Sequence, residues 1–83
     1  MEPLLGEIVL FPYDFAPRGW MICEGQLIPI QSNAALFTLL ENHFGGDGRV
    51  TFALPNLKGK EPLPNMSYYI SIEGRYPIRP SAP

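Results

Sequence analysis

The residues with the clearest catalytic potential are Cys23 and His43, the only cysteine and the only histidine in the sequence. A cysteine becomes a nucleophile when its thiol is exposed and a nearby base, oriented by a third group, removes the proton. Cys23 instead follows Ile22 on an apolar segment that begins at Trp20, a setting typical of a buried cysteine that packs as a small hydrophobic residue. His43 closes the apolar stripe of a predicted helix. The sequence therefore favours packing over a catalytic dyad.

A second possible chemistry is glycoside hydrolysis by paired carboxylates, for which the candidates are Asp14, Glu24, Glu41 and Asp47. Such a pair must be held roughly 5 to 9.5 Å apart across a sugar-binding cleft. These four side chains fall in predicted turns or on the solvent side of the predicted helix, and 83 residues leave little room for the cleft. We therefore predict no catalytic residues and no enzymatic activity.

The glycine-dense segment Gly45-Gly46-Asp47-Gly48 raises the question of a ligand-binding loop. A phosphate-binding loop opens a helix and is followed by Lys and Ser or Thr, whereas this segment precedes a predicted strand. A calcium loop needs several carboxylates, and Asp47 is the only one here. One cysteine and one histidine also fall short of the four ligands of a structural zinc. We interpret the segment as backbone geometry and predict no cofactor and no metal.

Three tyrosines are candidates for binding rather than catalysis. Tyr13, Tyr69 and Tyr76 are predicted to be exposed, and exposed aromatic rings can stack on sugars. The commoner use of such rings is packing at a contact between subunits. Both uses remain open from these residues alone.

Charge and hydropathy argue against two classes of partner. The net charge is −2 and no basic run occurs, so nucleic acid is not expected as a partner, because backbone binding needs clustered Lys and Arg. No apolar run approaches the roughly 18–20 residues of a membrane span, so membrane insertion is not expected either. Residues 1–5 lack the basic start and long apolar stretch of a signal peptide, which predicts synthesis in the cytoplasm.

The size of the chain predicts self-association. A domain of 83 residues often needs a staple such as disulfides, a metal or a partner subunit. A single cysteine excludes a disulfide within the chain. Charged residues make up 17% of the sequence, below the typical value of about 25%, which suggests that part of the surface is covered in the working state. We therefore predict a homo-oligomer.

The first half of the chain is predicted to contain three strands. Residues 6–11 form a strand that is apolar on both faces, which requires either a central position beneath a helix or cover from a second subunit. Residues 20–23 and 26–30 flank Glu24-Gly25 and predict a hairpin. Pro29 cannot donate a backbone hydrogen bond, so the second hairpin strand is predicted to be an edge or to end there.

A helix is predicted over about residues 33–44. Ser32 is the expected N-cap, and Gly45 lies where a left-handed C-terminal cap is expected. Apolar residues at spacings of three and four form one stripe. Its members are Leu36, Leu39, Leu40, His43 and Phe44.

Two more strands are predicted over residues 50–54 and 66–73. Ten prolines are spread along the chain, which is typical of short strands joined by defined turns. Residues 78–83 hold too little apolar content to pack and are predicted to form a proline-rich arm. The predicted class is α+β: a small single domain with one α-helix packed on a short-stranded, turn-rich and mostly antiparallel sheet.

Six sequence blocks, spread over about residues 2–60, together resemble the phage tail collar domain family, which includes short tail fibre proteins. They agree with the family in both order and spacing. The blocks are Gly6-Glu7-Ile8, Ala16-Pro17-Arg18-Gly19-Trp20, Cys23-Glu24-Gly25-Gln26, Leu36-Phe37, Gly45-Gly46-Asp47-Gly48 and Phe52-Ala53-Leu54-Pro55-Asn56-Leu57-Lys58-Gly59-Lys60. Longer relatives continue with a region rich in Gly, Thr and His that carries a receptor-binding head and its metal site. Here residues 61–65 bridge that gap, and a segment similar to the family's closing strand follows.

The resemblance implies a collar domain over residues 1–77 without a head, acting as a non-enzymatic structural module of a phage tail, prophage or tail-like particle. It implies a virion or particle location, a trimer as the favoured homo-oligomer, and contacts with other tail or fibre proteins. The alternative is a small module that binds a cell-surface glycan or protein. Candidate oligomer contacts are Val9, Phe11, Tyr69 and Tyr76. The structural motif residues implied by the family are Gly6, Pro17, Gly19, Trp20, Cys23, Gly25, Gly45, Gly46, Asp47, Gly48, Phe52, Pro55 and Gly59.

Overall fold

The computed structural model describes residues 2–78, so the predicted arm at residues 78–83 lies outside the described residues except for Ile78. One helix and five strands follow in chain order. They are β1 (Ile8–Phe11), β2 (Trp20–Ile22), β3 (Leu27–Pro29), α1 (Ala34–Leu40), β4 (Thr51–Ala53) and β5 (Ser67–Ser71). The strands pair in antiparallel fashion, which confirms the predicted α+β class with a mostly antiparallel sheet.

The strands form a three-stranded sheet in the order β1-β5-β2 and a two-stranded sheet of β3 and β4. The central position predicted as one option for the first strand is wrong, because β1 lies at an edge and β5 takes the middle. Strand β5 suits that position since Tyr69, Ile70 and Ser71 are each at most 1% exposed. Ile8 on β1 is 40% exposed, as an edge residue can be.

The hairpin predicted around Gly25 does not form. Strand β2 pairs with β5, and β3 pairs with β4. Instead of folding back on itself, the chain between β2 and β3 lies along residues 54–57, with the Gly25 N–H donating to the Pro55 carbonyl at 3.3 Å and the Leu57 N–H donating to the Cys23 carbonyl at 2.9 Å. The bond from Leu57 occupies the Cys23 carbonyl, the group that would have closed a two-residue hairpin. Strand β3 does end at Pro29, as predicted.

Helix α1 is shorter than predicted at both ends. Its N-cap is Asn33 rather than Ser32, and the Asn33 side chain donates to the Pro29 carbonyl at 2.9 Å instead of capping the helix. The helix ends at Leu40 because Glu41 adopts a φ of 50°. Phe44 is consequently exposed rather than part of the apolar stripe. Gly45 does not cap the helix, and its carbonyl instead accepts the Ala53 N–H of β4.

The core lies where α1 covers the strands and the segment after β4. Phe52 and Leu54 are fully buried, and Leu36 on α1 is 1% exposed. The Phe37 ring meets Phe52 edge-on, with ring centroids 5.2 Å apart. Full burial of a side chain of this kind contributes about 1.5–3 kcal/mol. The remaining core members are Leu5, Cys23, Ile28 and Ile70.

Candidate functional site

The glycine-dense loop closes the outer edge of β4. The Gly45 carbonyl accepts the Ala53 N–H at 3.0 Å, and the Gly48 N–H donates to the Thr51 carbonyl at 3.0 Å. A Cβ atom on Gly46 would lie 2.5 Å from the Cα of Phe52, so only glycine allows the loop to approach the strand this closely. The loop therefore has a structural role, as the sequence indicated, and this role is to cover the outer edge of β4.

Asp47 holds this loop together from its own side chain. One carboxylate oxygen accepts the backbone N–H groups of Arg49 and Val50 at 2.9 Å and that of Thr51 at 3.0 Å. These hydrogen bonds stabilise the charged form and lower the pKa of Asp47 from 3.8 to about 2. The Asp47 carboxylate thus accepts hydrogen bonds from backbone N–H groups of its own loop, and these bonds stabilise its negative charge.

The Asp47 contribution to stability should vanish in acid. Because the folded pKa lies below the unfolded value, the stabilisation is fully present above about pH 4 and is lost as the pH falls towards 2. We expect the melting temperature of Asp47→Asn to lie several degrees below that of the wild type at pH 6, and the gap to close at pH 2. Thermal melts from pH 2 to 6 measure this. Asp14→Asn, which changes an exposed turn carboxylate, is the matched control, and a constant Asp47→Asn gap would contradict the assignment.

Cys23 and His43 do not provide a nucleophile and a base. Cys23 is 2% exposed within the core, and burial raises the pKa of its thiol to about 11, so thiolate is scarce at neutral pH. His43 lies beyond the end of α1 on the surface, 3.8 Å from the Glu41 carboxylate. The thiol packs and the imidazole faces solvent.

The acidic side chains also stay apart from one another. Asp14, Glu24, Glu41 and Asp47 are all exposed and come from four different turns. The Glu24 carboxylate lies 4.0 Å from the Lys58 ammonium group. Both residues line a cleft of about 350 Å³, which Cys23 also lines. Within residues 2–78, no group of three or more His, Cys, Asp or Glu side chains is arranged to hold a metal ion.

The remaining motif residues shape turns and core. The Trp20 N–H donates to the Pro17 carbonyl at 3.0 Å and closes the turn before β2. Pro55 and Phe52 are buried. The motif glycines have positive φ values: Gly6, Gly19, Gly25, Gly45, Gly46, Gly48 and Gly59.

An aromatic column extends from the end of β1. The rings of Phe11, Tyr13 and Phe15 stack in succession, with centroids 5.3 and 5.4 Å apart and interplanar angles of 16° and 17°. Trp20 meets Phe11 edge-on at 5.1 Å. Tyr13 is 41% and Phe15 62% exposed, so the outer part of the column faces solvent. The spacing of alternate aromatic residues at 11, 13 and 15 is the signal in the sequence that could have revealed this column.

The outer edges of β2, β3 and β4 are covered at least in part within the described chain. On β2, the Ile22 carbonyl accepts the Gln26 side chain at 2.7 Å and the Glu24 N–H at 3.2 Å. On β3, Pro29 has no N–H, and its carbonyl is bonded to Asn33. The glycine-dense loop covers β4. Such cover prevents uncontrolled pairing with other chains.

Strand β1 is different, because its outer edge stays open. The Ser71 N–H donates to the Glu7 carbonyl at 2.8 Å, so residues 7, 9 and 11 face β5 and the backbone groups of Ile8 and Leu10 point outward. No residue in the described range pairs with this side of β1. Its open edge and the aromatic column form one continuous surface, which we call the β1 face, defined by Ile8, Leu10, Phe11, Tyr13 and Phe15.

The four residues predicted as oligomer contacts lie in different environments. Val9 and Phe11 are half-buried on β1, next to the open edge. Tyr69 is 1% exposed and its hydroxyl donates to the Tyr13 carbonyl at 2.9 Å, so the prediction that its side chain is exposed is wrong. Tyr76 is half exposed, and its hydroxyl shares a hydrogen bond of 2.6 Å with Thr38 on α1.

A comparison with protein-family models identifies the family of this domain. The model of the phage tail collar domain matches residues 6–62, well over half of the chain. The chain therefore belongs to the phage tail collar domain family, a family of structural domains in phage tail fibres, and is a tail-associated protein. No curated protein and no solved structure gives a significant match. None of the helical structure described here is long and apolar enough to cross a membrane.

Proposed function

We propose that this chain is a non-enzymatic structural module of a phage tail, prophage or phage-tail-like particle, and that it acts through homo-oligomeric assembly. The observation that carries the proposal is the β1 face. The chain covers part of each of its other outer strand edges but leaves all the outward backbone groups of Ile8 and Leu10 without partners in the described residues. A row of such groups beside exposed apolar rings is a template for pairing with another chain.

A trimer is the favoured order of assembly. This preference rests on the resemblance to short tail fibre collars, and small size adds a physical reason, since a domain of 83 residues buries little of its own surface. Contacts around a closed ring would cover the β1 face on every copy and leave no edge for further growth. Other tail or fibre proteins would then dock on the remaining surface.

A glycan-binding module receives less support from the geometry. Sugar stacking needs an open aromatic face, but the Tyr13 ring is enclosed between Phe11 and Phe15, and the Tyr69 ring is buried. Tyr76 uses its hydroxyl on Thr38.

The test is the absolute mass of the protein by light scattering across a dilution series, for the wild type and two lysine variants. Ile8→Lys places a charge on the open β1 edge, and we expect it to raise the dissociation constant at least about tenfold. Val50→Lys is the matched control, because Val50 is 66% exposed and lies away from β1. A monomeric wild type, or equal effects of the two variants, would overturn the proposal.

A further inference from the structure

Strand β5 fills a slot that the rest of the domain leaves between β1 and β2. It pairs with β1 on one side and β2 on the other, and it is the central strand of its sheet. Tyr69, Ile70 and Ser71 of β5 are buried to 1% exposure or less, so an empty slot would open the core to water. The match to the collar family ends at residue 62, before β5 begins. The strand that completes the fold therefore follows the family-matched segment and is joined to it by a separate connector.

The connector, residues 58–66, is bent back on itself to place β5 in this slot. The residues next to its two ends are both hydrogen-bonded to Cys23. The Leu57 N–H donates to the Cys23 carbonyl at 2.9 Å, and the Cys23 N–H donates to the Tyr68 carbonyl at 3.0 Å. Pro62 and Pro64 lie within it, and each proline disfavours the helical backbone conformation in the residue before it.

Closing this connector also places Asn65 at a φ of 63°, outside the region that non-glycine residues favour. An extended connector would release Asn65 from this conformation and suits the extended backbone that the two prolines favour. Nine residues in extended form span up to about 30 Å, which is enough to reach a neighbouring copy. A short, proline-restrained connector of this kind favours exchange of the element that follows it.

We propose that in the assembled particle the slot of each copy receives β5 from a neighbouring copy of the same chain. This proposal rests on the homo-oligomeric function proposed above and adds a second contact between copies to the one on the β1 face. The exchanged strand makes the same hydrogen bonds and core contacts as within one chain, so exchange costs no packing and gains the relief of the connector. Exchange around a ring is compatible with a trimer, because each copy gives one strand and receives one. It also supplies the staple that so small a domain needs, because every copy then shares its core with its neighbours.

One substitution tests the exchange directly. Cys23 lies opposite Tyr68 in the continuation of the β2–β5 register, and its N–H donates to the Tyr68 carbonyl. Directly opposite residues of antiparallel strands have Cα atoms about 4.5–5.5 Å apart, within the range that a disulfide spans. Tyr68→Cys therefore places two cysteines opposite each other across β2 and β5. The variant is refolded at the concentration where the wild type is oligomeric, in a glutathione redox buffer. It is then run on a denaturing gel without reductant, alongside a native mass measurement. Wild-type protein, with Cys23 alone, controls for adventitious crosslinking.

The three outcomes separate this proposal from the one before it. A disulfide-linked ladder ending at the native oligomer mass is the expected result. A monomer band with an internal disulfide, in a sample whose native mass is oligomeric, overturns the exchange and leaves the assembly function standing. A native mass that is monomeric in the wild type as well as in the variant, at every concentration tested, overturns both.

A second variant keeps the test valid if Tyr68→Cys fails to fold. Inserting Gly-Gly-Ser after Leu63, which is 58% exposed on the connector, relaxes the closed form without touching β5. We expect the oligomer of this variant to dissociate at a protein concentration at least about tenfold higher than the wild type, because the closed monomer is then less restrained. An unchanged dissociation constant would overturn the exchange.

Discussion

Replacing Gly46 with alanine should abolish folding of the chain or reduce its stability by more than about 4 kcal/mol, a loss seen only for severe local conflicts. The added Cβ would lie 2.5 Å from the Phe52 Cα and 2.8 Å from the Thr51 carbonyl oxygen. Both neighbours are backbone atoms, so a side-chain rotation cannot relieve the conflict. The loop would have to leave β4, and Phe52 would then lose its place in the core.

Gly59 provides a matched control for this substitution. Both glycines have a φ of 88°, but a Cβ on Gly59 meets no atom within 4 Å. Gly59→Ala should therefore cost only the backbone strain of a left-handed residue, about 1–2 kcal/mol. Denaturant unfolding followed by circular dichroism compares the two variants with the wild type. Equal losses of stability would show that φ alone matters and that the close approach of loop and strand does not.

The same loop shows how far the sequence can be interpreted. The density of glycine and the single carboxylate predicted a loop shaped by its backbone, which the Asp47 hydrogen bonds confirm. The sequence could not indicate what the loop closes, because its partner is the outer edge of β4. That contact depends on which strand edges remain free after the sheets have formed, and edge positions are a property of the whole fold.

The hairpin prediction failed for a related reason. Glu24-Gly25 is compatible with a tight turn, and Gly25 does adopt a positive φ. The flanking strands nevertheless pair with other strands. Strand β2 pairs with the buried strand β5, and β3 pairs with β4, which carries the buried Phe52. A local pattern predicts that the chain turns, whereas long-range packing determines which strands pair. The start of the helix illustrates the same limit, since the Asn33 side chain donates to the Pro29 carbonyl rather than capping the helix.

Tyr69 is buried within the chain, although the sequence predicted an exposed side chain. From the sequence, Tyr69 was predicted to lie on an exposed face and to contact another subunit. The chain covers this face itself, because the segment after β1 lies over it: the Tyr69 hydroxyl donates to the Tyr13 carbonyl, and its ring lies 5.9 Å from that of Phe11.

Tyr69→Ala should therefore cost about 3–5 kcal/mol, the usual penalty for emptying a buried aromatic site. Tyr69→Phe removes only the hydrogen bond to Tyr13 and should cost about 1 kcal/mol. Denaturant unfolding at several protein concentrations measures both losses. If Tyr69 is a core residue, the loss in each variant is independent of concentration once the oligomer has been dissociated by dilution. A Tyr69→Ala penalty that disappears in the dilute monomer would return this residue to the subunit interface, because only an intermolecular contact is lost on dilution.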